Sequence, residues 1–192
     1  MDNSNPIYLP VLELTRGGMV ESVHFGAFCV VDAQGQLLAA HGDPQLVTFL
    51  RSSAKPFQAL PFIEKGGGDY WDFSPKQIAI MCASHSGTDD HFETIRQMQA
   101  KIQVSQDDLL CGTHLPGDQE TAWRLIRNHE QPTQNRHNCS GKHTGMLASA
   151  RMQQLAIEDY LDYDHPIQRQ ILQAFSEMCS IAPEQVVLGI DG

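Results

Sequence analysis

Arg51-Ser52-Ser53-Ala54-Lys55-Pro56 is the stretch on which the reading of this chain turns. Ser52 and Lys55 are three apart, so a helix opening at Ser52 carries both side chains on one face of its first turn. A hydroxyl beside an amine is a nucleophile beside a base. Serine is unreactive until its proton is taken, and lysine takes it once burial or a neighbouring cation disfavours its charged form. Alone, the spacing is weak evidence and reads first as a capping serine followed by a surface lysine. Two more stretches shift the balance: Cys82-Ala83-Ser84-His85-Ser86-Gly87 and Asn138-Cys139-Ser140-Gly141-Lys142-His143-Thr144-Gly145-Met146. Both crowd small and reactive residues together without the apolar alternation of a strand or helix. Such segments gather where backbone and polar groups meet a ligand.

Upstream of Arg51 the pattern is β. Val11 to Thr15 alternates before Arg16-Gly17-Gly18, and His24 to Val31 reads as a second strand, rich in aromatic and β-branched residues. Asp32-Ala33-Gln34-Gly35 is a turn, with Gln36 to Ala40 its hairpin partner. Val47 to Leu50 reads as a short strand feeding the Ser-Lys turn. Downstream the pattern is helical. Helices are expected over 53–65, with Pro56 in the first turn and Pro61 disturbing the middle, and from Ser74-Pro75 onward. Others are expected over 89–101, 120–127, 142–155 and 166–179. Val186 to Gly192 reads as a buried strand that delivers the Asp191 carboxylate. Strands first and helices afterwards predict an α+β domain, an antiparallel sheet packed with helices.

The 192 residues include 13 basic and 23 acidic side chains, a formal charge of −10. That balance argues against nucleic acid, whose phosphates need concentrated Lys and Arg. No apolar run approaches the roughly 20 residues of a membrane span. The polar start Met1-Asp2-Asn3-Ser4-Asn5-Pro6 lacks the layout of a signal peptide, so a cytoplasmic location is expected. The cysteines are Cys29, Cys82, Cys111, Cys139 and Cys179. An odd number without a secretion signal speaks against a disulfide framework. Cys29, Cys82 and Cys179 read as buried apolar fillers.

The Gly141-Lys142-His143-Thr144 core does not make a phosphate-binding loop. Gln134, Asn135 and Arg136 stand where the upstream glycine belongs, and His143 occupies the Ser/Thr position. A metal fits the residue types better. Cys139, His143 and His137 could hold zinc with a distant ligand, and zinc would favour a neutral Lys142 that could coordinate. His85 is adjacent to Ser84 and badly placed to be its base, while Ser84 or Ser86 could cap the helix near Asp89. Asp89-Asp90-His91 reads as a solvated first turn and His114 as a loop residue. His24, His41, His129 and His165 read as structural or surface groups.

Taken in order, the three quoted segments and Gly189-Ile190-Asp191-Gly192 resemble the rhizobial-type L-asparaginase II family, over about Pro10 to the last residue. This family is distinct from the threonine-nucleophile bacterial asparaginases and from the plant-type Ntn-hydrolases. The resemblance implies a fold similar to that of serine β-lactamases, a homodimer, and hydrolysis of L-asparagine to L-aspartate and ammonia. It implies a Ser52–Lys55 pair with Arg51 beside it, Ser84 as a second catalytic serine, and Cys139 and Lys142 as zinc ligands. Asp191 would hold the substrate's amino group, and Asn138 and His143 join Arg51 as substrate contacts. Family members continue past the position of Gly192 into a further cysteine ligand and a later catalytic lysine. Residues 1–192 are therefore expected to be the N-terminal portion of one catalytic domain, its sheet incomplete and the isolated chain inactive. Two other classes stay open. The S-x-x-K pair suits a penicillin-recognising acyl hydrolase or transferase, although neither S-D-N nor K-T-G is present. A non-catalytic amino-acid-binding module is the third.

Overall fold

The computed structural model describes residues 7–189. They divide into two compact units, with the boundary between Phe49 and Leu50, and the architecture is α+β.

The first unit holds two hairpins. Strands β1 (Leu9–Arg16) and β2 (Met19–Gly26) pair antiparallel with Arg16 opposite Met19. The two-residue turn between them, Gly17-Gly18, has φ +55° and +81°, which only glycine adopts cheaply at both positions. Strands β3 (Phe28–Val31) and β4 (Leu37–His41) form the second hairpin. Its turn is built by Asp32, whose Oδ1 accepts the N–H groups of Gln34 and Gln36. The stretch 24–31 is thus not one strand. It breaks between Gly26 and Phe28, and each half pairs with a different neighbour. Apolar side chains of both hairpins, among them Leu12, Phe25, Phe28 and Leu38, are exposed.

The second unit is helical: α1 (Lys55–Glu64), α2 (Gly67–Tyr70), α3 (Pro75–Met81), α4 (Asp89–Ile102), α5 (Gln119–Arg127), α6 (Ser140–Met152) and α7 (Pro166–Cys179). Local chemistry sets the starts. Ser74 and Gln77 cap α3 reciprocally, with Pro75 at the first helical position. Thr88 caps α4 through the His91 N–H, so neither Ser84 nor Ser86 serves there. Asp118 caps α5 and His165 caps α7. Pro61 lies inside α1, where it offers no N–H to the helix.

Helix α6 is the axis of this unit. Ser140, Gly141 and every residue from His143 to Ala150 are buried, a helix buried all round rather than on one stripe. Leu147 and Ala148 sit among Ile80, Met81, Ile95, Met98 and Tyr160 in the apolar core. The small residues let neighbours come close. A Cβ on Gly141 would lie 2.2 Å from the Ile80 carbonyl oxygen, so α3 crosses α6 nearly backbone to backbone.

Several expectations are corrected. Residues 47–50 form no strand, and Arg51–Ala54 is a 3-10 turn that precedes α1 rather than its first α-helical turn. Residues 186–189 form no ladder, and Val187 and Leu188 are exposed. Ile190, Asp191 and Gly192 lie outside the described residues. Cys29 and Cys179 are exposed rather than buried. Among the described residues, no helix is long and apolar enough to cross a membrane.

Candidate active site

Lys55 joins the three quoted segments. It is the first residue of α1 and is only 3% exposed. Its Nζ donates to the Ala83 carbonyl at 2.9 Å and to the Asn138 carbonyl at 3.2 Å. One bond ends beside Ser84 and the other beside Cys139. The Asn138 side chain closes the circuit, its Nδ2 donating to Ser84 Oγ at 3.1 Å. Lys55, Ser84 and Asn138 thus form one connected polar group at the N-terminal end of α6. A surface lysine beside a capping serine would make none of these bonds.

The Ser52 hydroxyl forms no hydrogen bond with Lys55 Nζ. Ser52 is exposed in the 3-10 turn, one turn from the amine along the chain. Arg51 is exposed and has φ +52°, a left-handed conformation that costs a residue with a Cβ about 1 kcal/mol or more. Ser84 is also exposed, so both candidate nucleophiles are open to substrate.

Two histidines shape this group, and sequence spacing pointed to neither role. His114 Nδ1 donates to the Leu115 carbonyl, which leaves Nε2 as acceptor for the Asn138 N–H at 3.2 Å. His85 Nδ1 accepts the Gly87 N–H at 3.2 Å, so its Nε2 carries the proton and donates to Ser140 Oγ at 3.0 Å. Ser140 Oγ in turn donates to the His137 carbonyl at 2.8 Å. His85 therefore serves as a clamp from the Ser84 loop to the start of α6, not as a base for its neighbour. Gly87 closes that loop with φ +75°, and a Cβ there would meet the Arg136 carbonyl oxygen at 2.6 Å.

Burial, and then the positive charge that His91 and Lys55 bring near, pushes the His85 pKa down to about 3. The unfolded chain titrates His85 near its ordinary 6.5. Between those values the unfolded state binds a proton that the folded state refuses, so the stability is whole above pH 6.5 and is lost as pH falls toward 3. At pH 5 the loss is about 2 kcal/mol, from 1.36 kcal/mol per pH unit. Asp89 and Glu93, held at about 2 chiefly by hydrogen bonds from Arg124 and Arg96, stay ionised through that window. Denaturant unfolding at pH 7 and pH 5 should show at least this fall, and His85→Gln should reduce it without abolishing it, because burial also pushes His143 down to about 3. Equal slopes for the two proteins would refute the assignment.

Cys139 is the N-cap residue of α6, and Lys142 lies in that helix's first turn, three residues on. Cys139 is 7% exposed, and its N–H donates to His137 Nδ1 at 3.0 Å. Cys111 is buried close enough to feel both Cys139 and Lys142, and its thiol is pushed up to about 11, mainly by burial. A thiolate and an amine are donors zinc accepts. Among the described residues, however, no group of three or more His, Cys, Asp and Glu side chains is arranged around a common centre. The set Cys139, His137 and His143 is thus not assembled, and His143 Nδ1 is engaged by Tyr160. Two donors fall short of a tetrahedral site, so no chemical step is assigned to a metal.

The L-asparaginase II family profile matches residues 12–192, and the chain belongs to that family. No curated protein matches the chain.

Proposed function

We propose that this protein hydrolyses the side-chain amide of L-asparagine to L-aspartate and ammonia. Family membership supports the reaction class. The observation that carries the site reading is the Lys55 amine, buried and tied to the carbonyls of Ala83 and Asn138. In its neutral form that amine has two hydrogens, and the two carbonyls take both. Its lone pair is then left to accept a proton, which is the property a base needs. Ser52 loses its proton to Lys55 and attacks the amide carbon, with Arg51 alongside it. Ser84, whose Oγ accepts from Asn138, passes its own hydrogen to the leaving ammonia and takes back from Lys55 the proton drawn from Ser52. Water then attacks the aspartyl–Ser52 ester, its proton returning to Ser52 through Lys55, and L-aspartate leaves. Asn138, His143 and Asp191 complete the substrate contacts in this reading, and N–H groups of the glycine-rich turns serve the developing oxyanion. The protein acts as a homodimer.

Cys139 and Lys142 would supply two of the ligands of a zinc ion, and zinc bound there would orient the substrate. Metal analysis of the purified protein should find zinc, and Cys139→Ala should remove most of it. Retention of stoichiometric zinc by that variant would place the metal elsewhere.

Ammonia release from L-asparagine tests the function directly, with nitrocefin as the contrasting substrate. With the complete catalytic domain, ammonia without nitrocefin cleavage is the expected result. The reverse would favour the penicillin-recognising class, and asparagine binding without turnover would favour a binding module.

A further inference from the structure

The mechanism above leaves one buried polar pair unexplained. His143 is 2% exposed, and its Nδ1 lies 2.6 Å from the hydroxyl of Tyr160, a residue with no exposure at all. The two rings meet nearly edge-on, with an interplanar angle of 83°. The Tyr160 oxygen is already an acceptor, for the Leu110 N–H at 2.8 Å.

Counting hydrogens settles who donates. A phenol has one hydrogen, and a buried one left without an acceptor is costly. The acceptor within reach of the Tyr160 hydroxyl is His143 Nδ1. If Nδ1 carried a proton instead, two hydrogens would face each other across 2.6 Å or the hydroxyl would turn away unpaired. Nδ1 is therefore the acceptor, and the neutral ring carries its proton on Nε2. Nε2 makes no hydrogen bond to any described residue, and the ring lies within electrostatic reach of Lys142, His137 and Lys55. That leaves an oriented N–H donor, used by no described residue, in the first turn of α6, the helix at whose N-terminal end the Lys55 group lies.

We propose that Tyr160 is a positioning residue: its hydroxyl locks His143 as an Nε2–H donor, which holds an oxygen of the bound substrate. The bonds Leu110 N–H to Tyr160 and Tyr160 O–H to His143 then form a relay from the loop before α5 into α6, fixing a ring that sequence proximity to Lys142 alone could not orient. The substrate half of the proposal rests on the asparaginase reading, whereas the tautomer half does not.

Nitrogen-15 spectra of the labelled protein read the tautomer without substrate. His143 should show a pyridine-like Nδ1 and a pyrrole-like Nε2. A protonated Nδ1 in the unmodified protein overturns the proposal, even if no variant folds. Tyr160→Phe keeps the ring and removes the hydroxyl. It should mix the tautomers and raise KM for asparagine about tenfold while kcat changes less than threefold. His143→Gln, which retains a donor at the Nε2 position, should keep more affinity than His143→Leu. An unchanged tautomer in Tyr160→Phe overturns the lock. A mixed tautomer with unchanged KM overturns the substrate contact. Absence of asparaginase activity in the unmodified protein would overturn the reaction assigned above, and the spectrum would still decide the role of Tyr160.

Discussion

Ser52→Ala is expected to lower ammonia release from asparagine by roughly 10⁴-fold or more, the scale at which enzymes lose their nucleophile. Ser84→Ala is expected to lose turnover by about 10²- to 10³-fold, as for a displaced proton relay. The two serines separate on acylation. Rapid quench and mass spectrometry of the intact protein should find the aspartyl adduct on Ser84→Ala and none on Ser52→Ala. The structure gives this test its sharpness, because both hydroxyls are exposed while only Ser84 has a hydrogen-bond link to the Lys55 group. Lys55→Met should abolish both steps, since it removes the amine and leaves the carbonyls of Ala83 and Asn138 unpaired. An adduct that forms on Ser52→Ala and disappears on Ser84→Ala would exchange the roles of the two serines.

Gly141→Ala should destabilise the protein by about 3 kcal/mol or more. Its new methyl would sit 2.2 Å from the oxygen and 2.8 Å from the carbon of the Ile80 carbonyl, backbone atoms that cannot step aside. Helix α6 would have to lift from α3, and Cys139 and Lys142 would move with it. Gly145→Ala is the matched control, one turn along the same helix. There the nearest atom is the Met81 Cε at 2.5 Å, the end of a flexible side chain. That clash is offset by the roughly 1 kcal/mol that alanine gains over glycine in a helix, so a change within about 1 kcal/mol is expected. Denaturation midpoints compare the two directly. Equal destabilisation would mean that close approach of α3 is not what reserves position 141 for glycine. The glycine of the Gly-Lys-His-Thr core thus has a packing reason, where a phosphate loop would have needed a conformational one.

What the sequence made legible follows from how local each signal is. Turn and cap chemistry is local, so the Asp32–Gly35 turn and the helices at 89–102, 119–127 and 166–179 were readable from side chains a few residues apart. Strand pairing is not local. The residues from His24 to Val31 share β propensity throughout, yet Gly26 ends one hairpin and Phe28 begins another, a choice made by partners elsewhere in the chain. Apolar character misled at Val187, Leu188 and Cys179, which are exposed, because composition does not say what covers a residue. For the site, the reactive residue types were conspicuous but their wiring was not. The partners of Lys55 are main-chain oxygens, and every residue has one. His114 and Tyr160 act through single bonds to Asn138 and His143 from positions with no motif around them. His85 was conspicuous only as the neighbour of Ser84, whereas its bond runs to Ser140, 55 residues away.

The two bonds of Lys55 span 28 and 83 residues of chain. Closing such loops is entropically unfavourable until most of the intervening helices have settled. The polar group around Lys55 is therefore assembled late: a half-collapsed molecule can hold most of its helices while that amine is still in water, apart from the carbonyls of Ala83 and Asn138. Conversely, a transient lifting of Asn138 would take apart the link between Lys55 and Ser84 while the rest of the helical unit stayed intact.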